Sequence, residues 1–360
     1  MASIDLASPS SAAPAPPALP AALSRTSSAA AVDGGNAPAL FPVPAVDDAV
    51  IETVFHAAVP LAFHVLDASG NMTASPPLYV LAPRQSYLHA VFARVPHAVA
   101  GLLPRPSTPP GDATGSPASS AADLQRRLAS TSFLCDATGT TLPWHVPIGI
   151  LYDQYQHPAL RTHDGASWWS PTDGIPPWRI RVARTTDSPM ATAFPFTGLA
   201  QLESLYMHAV KEAEYMAFGS ARKVMALSKS LSEQLWRGVM DNNLSQVEAV
   251  TKDLFHNEPV ARAWPVRVHV RDPAGNVATF QPLLTPIVAP ELGHVVAAAG
   301  AEEPDTHALL VQGIALTRDT PMAWVHRHFV GCDGWVHIVV IMQGGGRAVE
   351  EPAMERTATD

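Results

Sequence analysis

Lysine is the scarcest reactive side chain in this sequence. Lysines occupy four positions among 23 lysine and arginine residues, namely Lys211, Lys223, Lys229 and Lys252. All four lie in one segment of the chain. Any chemistry that modifies a primary amine therefore has four possible sites, and these sites are close together in sequence.

The two cysteines are weak candidates for nucleophiles. Two cysteines make no disulfide framework and are typical of a reducing compartment. Cys135 alternates with Phe133 in a predicted strand, which indicates a buried thiol. Cys332 lies in a predicted turn and has no placed base. Because motifs for a serine nucleophile, a P-loop or a dinucleotide site are missing from the sequence, we predict no catalytic residue.

The histidines suggest a metal site only at His326 and His328. On a helix, side chains two positions apart do not share a face, so this pair would diverge. No second pair with ligand spacing accompanies it. We therefore expect no metal and no cofactor.

Lys211 lies on a predicted helix whose apolar stripe faces away from it. At about 100° per residue the stripe centres about 180° from Lys211, which predicts an exposed amine. The stripe consists of Leu202, Tyr206, Ala209, Ala213 and Met216.

The helical neighbours of Lys211 allow two interpretations. Met207, Tyr215 and Phe218 are apolar neighbours that could receive a protein docked over the amine. Alternatively, Lys211 is an ordinary surface lysine paired with Glu214 at i+3, and geometry alone favours this second interpretation.

The strands and helices predicted in the first half of the chain can make one α+β domain. A short amphipathic helix at 48–57 precedes two strands at 61–66 and 78–83 and a helix from residue 86. Strand, strand, helix is the opening of a ubiquitin-like fold. A second strand pair at 131–137 and 141–147, a helix at 148–155 and a closing strand at 177–183 would complete it.

The middle of the chain changes to helical periodicity. A capping box formed by Ser230 and Glu233 is predicted to start one helix, and Asn243 to cap the next. This helical module is too thin to hold a core of its own.

The last third repeats the first pattern. Strands at 264–270 and 277–284 flank a turn at 272–276, and a helix at 292–298 follows. A single strand at 309–316, a helix starting at Thr320–Pro321 and a strand at 335–341 complete this unit.

We therefore predict an α+β fold with two ubiquitin-like (β-grasp) domains that flank a helix-rich domain. The predicted boundaries are a disordered tail at 1–47, a first domain at 48–184 with insertions at 101–130 and 156–176, a helix-rich domain at 199–257, a second domain at 262–342 and a flexible tail at 343–360.

The net charge and the ends of the chain bear on its partners and its location. A net charge of −9 with a pI of about 5.9 gives no reason to expect nucleic acid. No apolar run is long enough to span a membrane, and the start of the chain lacks the features of a signal peptide. Gly344–Gly346 follows the final strand, so a processed ubiquitin-like modifier stays open beside a flexible tail.

Several segments in the same order resemble the autophagy protein 5 family from about residue 48 to 342. They are LYVLAPRQSYL (78–88), LPWHVPIGILYD (142–153), PPWRIRV (176–182), QLWRGV (234–239), WPVRVHV (264–270) and the end from QGIALTRDTPMAWVHRHF (312–329) to WVHIVVI (335–341).

The resemblance assigns a covalent role to Lys211. The family's acceptor lysine lies in a motif M-x-x-x-K-E-A-D/E, and Met207 to Glu214 match it as MHAVKEAE. It implies that Lys211 receives the ubiquitin-like autophagy protein 12 through an isopeptide bond, which requires a primary amine. The activating thioester belongs to partner enzymes, so the chain itself would be no enzyme.

The resemblance also implies partners and a location. The conjugate would bind the coiled-coil autophagy protein 16, with the helix at 48–57 helping to hold it. The assembly would meet a lipid-conjugating enzyme transiently and promote transfer of the ubiquitin-like autophagy protein 8 to phosphatidylethanolamine. A cytoplasmic protein recruited to the preautophagosomal membrane, with peripheral membrane contact, is expected. The alternative is an adaptor that binds the same partners without conjugation.

Overall fold

A computed structural model describes residues 47–67, 69–95, 125–156, 176–184, 195–256, 261–301 and 307–342. The predicted tails at 1–47 and 343–360, with Gly344–Gly346, fall outside these residues except for Asp47. Most of the insertions predicted at 101–130 and 156–176 also fall outside them.

The first sheet has the strand order β2-β1-β4-β3. Strand β1 is antiparallel to β2 and parallel to β4, and β3 is antiparallel to β4. Phe63, Phe92 and Phe133 pack ring against ring beneath the sheet, with centroids 5.4 to 5.7 Å apart. The elements are α1 (Asp48–His56), β1 (Ala58–Val65), β2 (Leu78–Pro83), α2 (Leu88–Ala93), α3 (125–129), β3 (Thr131–Cys135), α4 (Ile148–Tyr155) and β4 (Trp178–Arg184).

Two expectations for this domain were wrong. Residues 141–147 form no strand, and a single bridge joins Leu134 to Thr141. Pro143 and Pro147 have no N–H to donate to a ladder, and the apolar alternation instead reflects the burial of Leu142 and Trp144. The insertion predicted at 101–130 also extends too far, because α3 buries Leu128 in the core.

The helical region contains α5 (Leu199–Phe218), α6 (Arg222–Met225), α7 (Lys229–Met240), α8 (Leu244–Thr251) and a π-helical turn at Lys252–His256. The cap predicted at Asn243 is confirmed, since its side chain accepts from Gln246 N. The capping box at Ser230 was wrong. Ser228 caps α7 by accepting from Leu231 N, so Ser230 lies inside the helix.

The second sheet has the strand order β6-β5-β9-β7-β8, with β5 parallel to β9. The predicted single strand at 309–316 was wrong. Gln312 and Gly313 have φ of 51° and 81°, which makes a two-residue hairpin turn between β7 and β8. The elements are β5 (Val266–Arg271), β6 (Val277–Phe280), α9 (Leu292–Ala298), β7 (His307–Val311), β8 (Ile314–Ala315), α10 (Met322–Phe329) and β9 (Val336–Met342).

The helices share one hydrophobic core with the first sheet. Tyr87 from the first domain packs near Trp236 of α7, with ring centroids 6.3 Å apart, and Tyr206 of α5 contacts the same indole at 5.4 Å. A second core lies under the second sheet and includes Val54 of α1. The predicted α+β class, with two sheets that flank helices, is confirmed.

Candidate functional site

Lys211 lies near the middle of α5, on the border of its solvent-exposed face. The buried positions include Val210, Glu214 and Ala217 in place of the predicted Ala209 and Met216. At about 100° per residue this rotates the packed face, so that Lys211 lies roughly 130° from its centre. The lysine is partly exposed, less than the sequence predicted.

Glu214 is not the partner of Lys211. Its carboxylate is buried, at 2% exposure, and accepts hydrogen bonds from the backbone N–H groups of Lys223 and Val224 at 2.9 and 2.8 Å. The carboxylate thereby holds the start of α6 against α5. The predicted surface pair between Lys211 and Glu214 was wrong, because Glu214 faces the core.

The Lys211 amine makes no hydrogen bond or ion pair with any residue that the structure describes. The other three lysines differ. Lys223 Nζ donates to Asp253 O at 3.1 Å, Lys229 lies 3.7 Å from Glu233, and Lys252 lies 2.9 Å from Glu248. Lys211 is thus the one lysine whose amine is not held by an oxygen atom of a described residue.

Apolar side chains are exposed on α5 and on α6, the helix that Glu214 holds against α5. Tyr215, one turn further along α5, is 61% exposed, and Met225 at the end of α6 is 75% exposed. Phe218 packs partly into the core and lies 5.9 Å from Lys223 Nζ. This surface can bury apolar area against a second protein.

The thiols are placed where nucleophilic chemistry is suppressed. Cys135 is fully buried in β3, as predicted. Burial raises the pKa of the Cys332 thiol, and the nearby Asp333 carboxylate raises it further. A thiolate is therefore disfavoured at Cys332.

The histidine pair predicted to diverge does so. His328 is buried and accepts from Asp47 N at 3.1 Å through Nε2, while its Nδ1 donates to Trp324 O at 2.9 Å. The His326 ring packs against Trp264. In the described part of the chain, no three His, Cys, Asp or Glu residues are placed to hold a metal ion.

A cavity of about 360 Å³ lies on another side of α5, where the helical region meets both sheets. Arg267 at its wall bonds to Glu212 at 2.8 Å and lies 4.1 Å from the Trp335 ring. His269 and His337 contact each other at 3.1 Å, and His337 reaches Asp333 at 3.0 Å. Sequence reasoning missed this network because Arg267 and His269 alternate with the core valines of β5 and are typical of the polar, outward face of a half-buried strand. Its bonds tie α5 to the second domain.

A shallow groove runs between α1, α8 and α10. Its apolar lining includes Ile51, Phe55 and Val247, and Arg327 and Glu248 stand at its border. Because α1 and α8 present these side chains on adjacent faces, the groove can accept the apolar stripe of another helix.

Residues 199–257 match the family model of the alpha-helical bundle region of autophagy protein ATG5, and residues 263–340 match the model of its UblB domain. An autophagy protein 5 from Aspergillus terreus is 28% identical over 301 residues, which cover 74% of this chain and 88% of that protein. Another, from Phaeosphaeria nodorum, is 27% identical over 241 residues, 57% of this chain and 75% of that protein.

The chain belongs to the autophagy protein 5 family. Among solved structures, the crystal structure of Kluyveromyces marxianus Atg5 superposes with a TM-score of 0.61 at 20% identity, covering 81% of this chain and 99% of that one. This match shows a shared fold. Membership of the autophagy protein 5 family gives the chain a role in autophagy. No described helix is long and apolar enough to cross a membrane.

Proposed function

We propose that Lys211 is the covalent acceptor of a ubiquitin-like protein, autophagy protein 12. The conjugate, with a coiled-coil partner, autophagy protein 16, then promotes lipidation of the ubiquitin-like autophagy protein 8 with phosphatidylethanolamine during autophagosome formation. The chain is the non-catalytic subunit of this ligase-like assembly. It works from the cytoplasm and is recruited to the preautophagosomal membrane.

The proposed bond follows simple acyl-transfer chemistry. The Lys211 Nζ, after losing a proton to solvent, attacks the thioester carbonyl at the carboxyl end of the ubiquitin-like protein. A C–N bond forms, the C–S bond to the conjugating enzyme's cysteine breaks, and that cysteine leaves as a thiolate, while the nitrogen releases a second proton to solvent as the amide forms. No group on this chain is needed as a base, because the thioester is already activated.

The observation that supports this assignment most is that no described residue bonds to the Lys211 amine. An ammonium group that is already ion-paired must give up its partner before it can act as a nucleophile. Glu214, the acidic residue of the matched motif at i+3, is occupied by the backbone of α6 instead. The exposed Tyr215 and Met225 can bury area against the docked protein.

Replacing Lys211 with arginine is expected to abolish the conjugate. Arginine keeps the positive charge but has no primary amine, so the species heavier by one ubiquitin-like protein should disappear from an immunoblot. Lipidation downstream should fall with it. The matched control is Lys229→Arg, whose exposed lysine lies on α7, and it should leave the heavier band unchanged.

A heavier band that persists in Lys211→Arg would remove Lys211 from the acceptor role. If the Lys211→Arg variant forms no conjugate but still binds its partners and still supports lipidation, the protein acts as a non-covalent adaptor. Mass spectrometry that shows an intact C-terminus through Asp360 would eliminate the alternative of a processed ubiquitin-like modifier.

The groove beside α1 supports the second half of the proposal. A coiled-coil helix presents apolar side chains at i, i+3, i+4 and i+7, which suits a groove lined by Ile51, Phe55 and Val247. Arg327 and Glu248 at its border offer one charge of each sign to the polar flanks of such a helix.

Introducing a charge at Ile51 is expected to weaken binding of the coiled-coil partner by at least about tenfold, because one unpaired carboxylate at an apolar contact costs more than about 1.4 kcal/mol. Titration calorimetry of Ile51→Asp with the partner's helical peptide measures this. Ile287→Asp, at a residue 69% exposed and outside the groove, is the control. Equal affinities for the two variants would place the partner elsewhere.

A further inference from the structure

The first sheet leaves one long strand edge open. Within the described residues β2 pairs with β1 alone, through six consecutive residue pairs from Ala58↔Pro83 to Phe63↔Leu78. No bulge interrupts this register. The backbone groups on the opposite side of Leu78–Pro83 are therefore available to another strand.

The other three edges of the two sheets are short or covered by the chain itself. The edge of β3 bonds to the following segment, with Cys135 N donating to Thr140 O at 2.9 Å and Leu142 N donating to Phe133 O at 2.7 Å. Strand β6 has four residues and β8 has two. Only β2 combines six residues with an uncovered edge among the described strands.

The sequence of β2 carries none of the usual protection except at its end. Charges, prolines and bulges normally keep edge strands from pairing with other chains. LYVLAP has no charged residue, and its proline is the last residue. Tyr79 and Leu81, which share one face of the strand, are 66% and 71% exposed. An unguarded edge with two exposed apolar side chains indicates a surface that a partner covers.

The same face of the sheet becomes basic two strands away. Ala62 pairs with both Tyr79 and Arg179, so Arg179 lies in the same row, about 10 Å from Tyr79 across the sheet. Arg179 and Arg181 share a single carboxylate, Asp136, at 3.5 and 3.2 Å. Two guanidinium groups on one carboxylate leave this face positive on a chain whose net charge is −9.

We propose that the edge of β2 binds an extended acidic peptide segment of another protein as an added strand. The backbone of the peptide pairs with Leu78–Pro83, and its alternate apolar side chains pack on Tyr79 and Leu81. Acidic residues that flank its apolar core are attracted by Arg179 and Arg181. This surface is distinct from Lys211 and from the groove beside α1.

A designed peptide tests the proposal on the full-length chain. The probe is a fluorescent peptide of six alternating valines and threonines flanked by glutamates, measured by anisotropy. We expect saturable binding that Leu81→Lys weakens by at least about tenfold and that Arg179→Glu weakens by a smaller factor, because Arg179 lies about 14 Å from the added strand and its charge is partly screened over that distance. Leu283→Lys, at a residue 72% exposed elsewhere on the surface, is the control and should bind as the unmodified protein does. Hydrogen exchange should slow at β2 backbone amides when the peptide is added.

Three results would overturn the proposal. One is equal binding of the same peptide with lysines in place of glutamates, which would show that the surface does not select acidic peptides. Another is light scattering that shows a dimer lost in Leu81→Lys, since the edge would then serve a second copy of this chain. The third is co-sedimentation with anionic vesicles that depends on Leu81 without any peptide binding, which would assign the surface to a lipid bilayer.

Discussion

Replacing Arg84 with alanine is expected to lower the free energy of unfolding by about 3–5 kcal/mol, because it removes the guanidinium group that pairs with a buried carboxylate. Arg84 and Asp153 are 6% and 2% exposed and form an ion pair, and Arg84 Nη2 also donates to Gly149 O at 3.1 Å. The guanidinium lies against Gly313 in the turn between β7 and β8, so it joins the two sheets' domains as well.

Urea unfolding followed by tryptophan fluorescence measures this effect. The control is Arg94→Ala, whose ion pair with Asp241 lies at the surface with side chains 44% and 60% exposed. An exposed pair of this kind contributes under about 1 kcal/mol. Similar losses for the two variants would show that the buried pair contributes no more than a surface one.

Acid is expected to destabilise the protein through His89. Burial lowers the pKa of this imidazole from 6.5 to about 4, and a backbone bond to Thr131 O only partly opposes the shift. The unfolded chain therefore binds a proton at higher pH than the folded one. Stability is complete above pH 6.5 and falls as the pH drops toward 4, by about 3 kcal/mol in total from this group.

The pH dependence separates His89 from other titrating groups. His269 is also buried, and burial followed by the neighbouring His337 lowers its pKa well below the usual value. Replacing His89 with phenylalanine should therefore reduce, but not abolish, the slope of unfolding free energy between pH 6.5 and 4. Above pH 7 the free energies of unfolding of the two proteins should change with pH by the same amount. An unchanged acid slope in His89→Phe would refute the assignment.

Much of the architecture can be predicted from the sequence, because the local apolar patterns agree with the packing in the folded protein. Helix 292–298 and helix 148–155 appear in the structure with the predicted bounds, because each buries a contiguous apolar set between clear turn residues. The closing strand of each sheet was also predicted. Trp178 and Ile180 alternate inward in β4. Strand β9 is buried on both faces, because one face packs in the second core and the other packs against Ile150 of α4.

The failures have specific physical causes. Gln312 adopts a positive φ that few non-glycine residues take, so only Gly313 hinted at the hairpin there. Apolar spacing does not decide the rotation of α5. Val210 and Ala217 are as apolar as their neighbours Ala209 and Met216, so the pattern leaves open which pair faces the core. The burial of Glu214, which accepts from two backbone N–H groups, has no apolar signal at all and removes this carboxylate as a partner of Lys211.

The core shared by the first sheet and the helices limits how the protein can be cut. A fragment of residues 48–198 would expose Tyr87, whose ring packs near Trp236, and a fragment of 199–257 would lose the same contact from the other side. Neither piece carries a complete interior. Truncations that end at the domain boundaries would therefore report misfolding as loss of binding, and point substitutions are the more reliable means of mapping its partners.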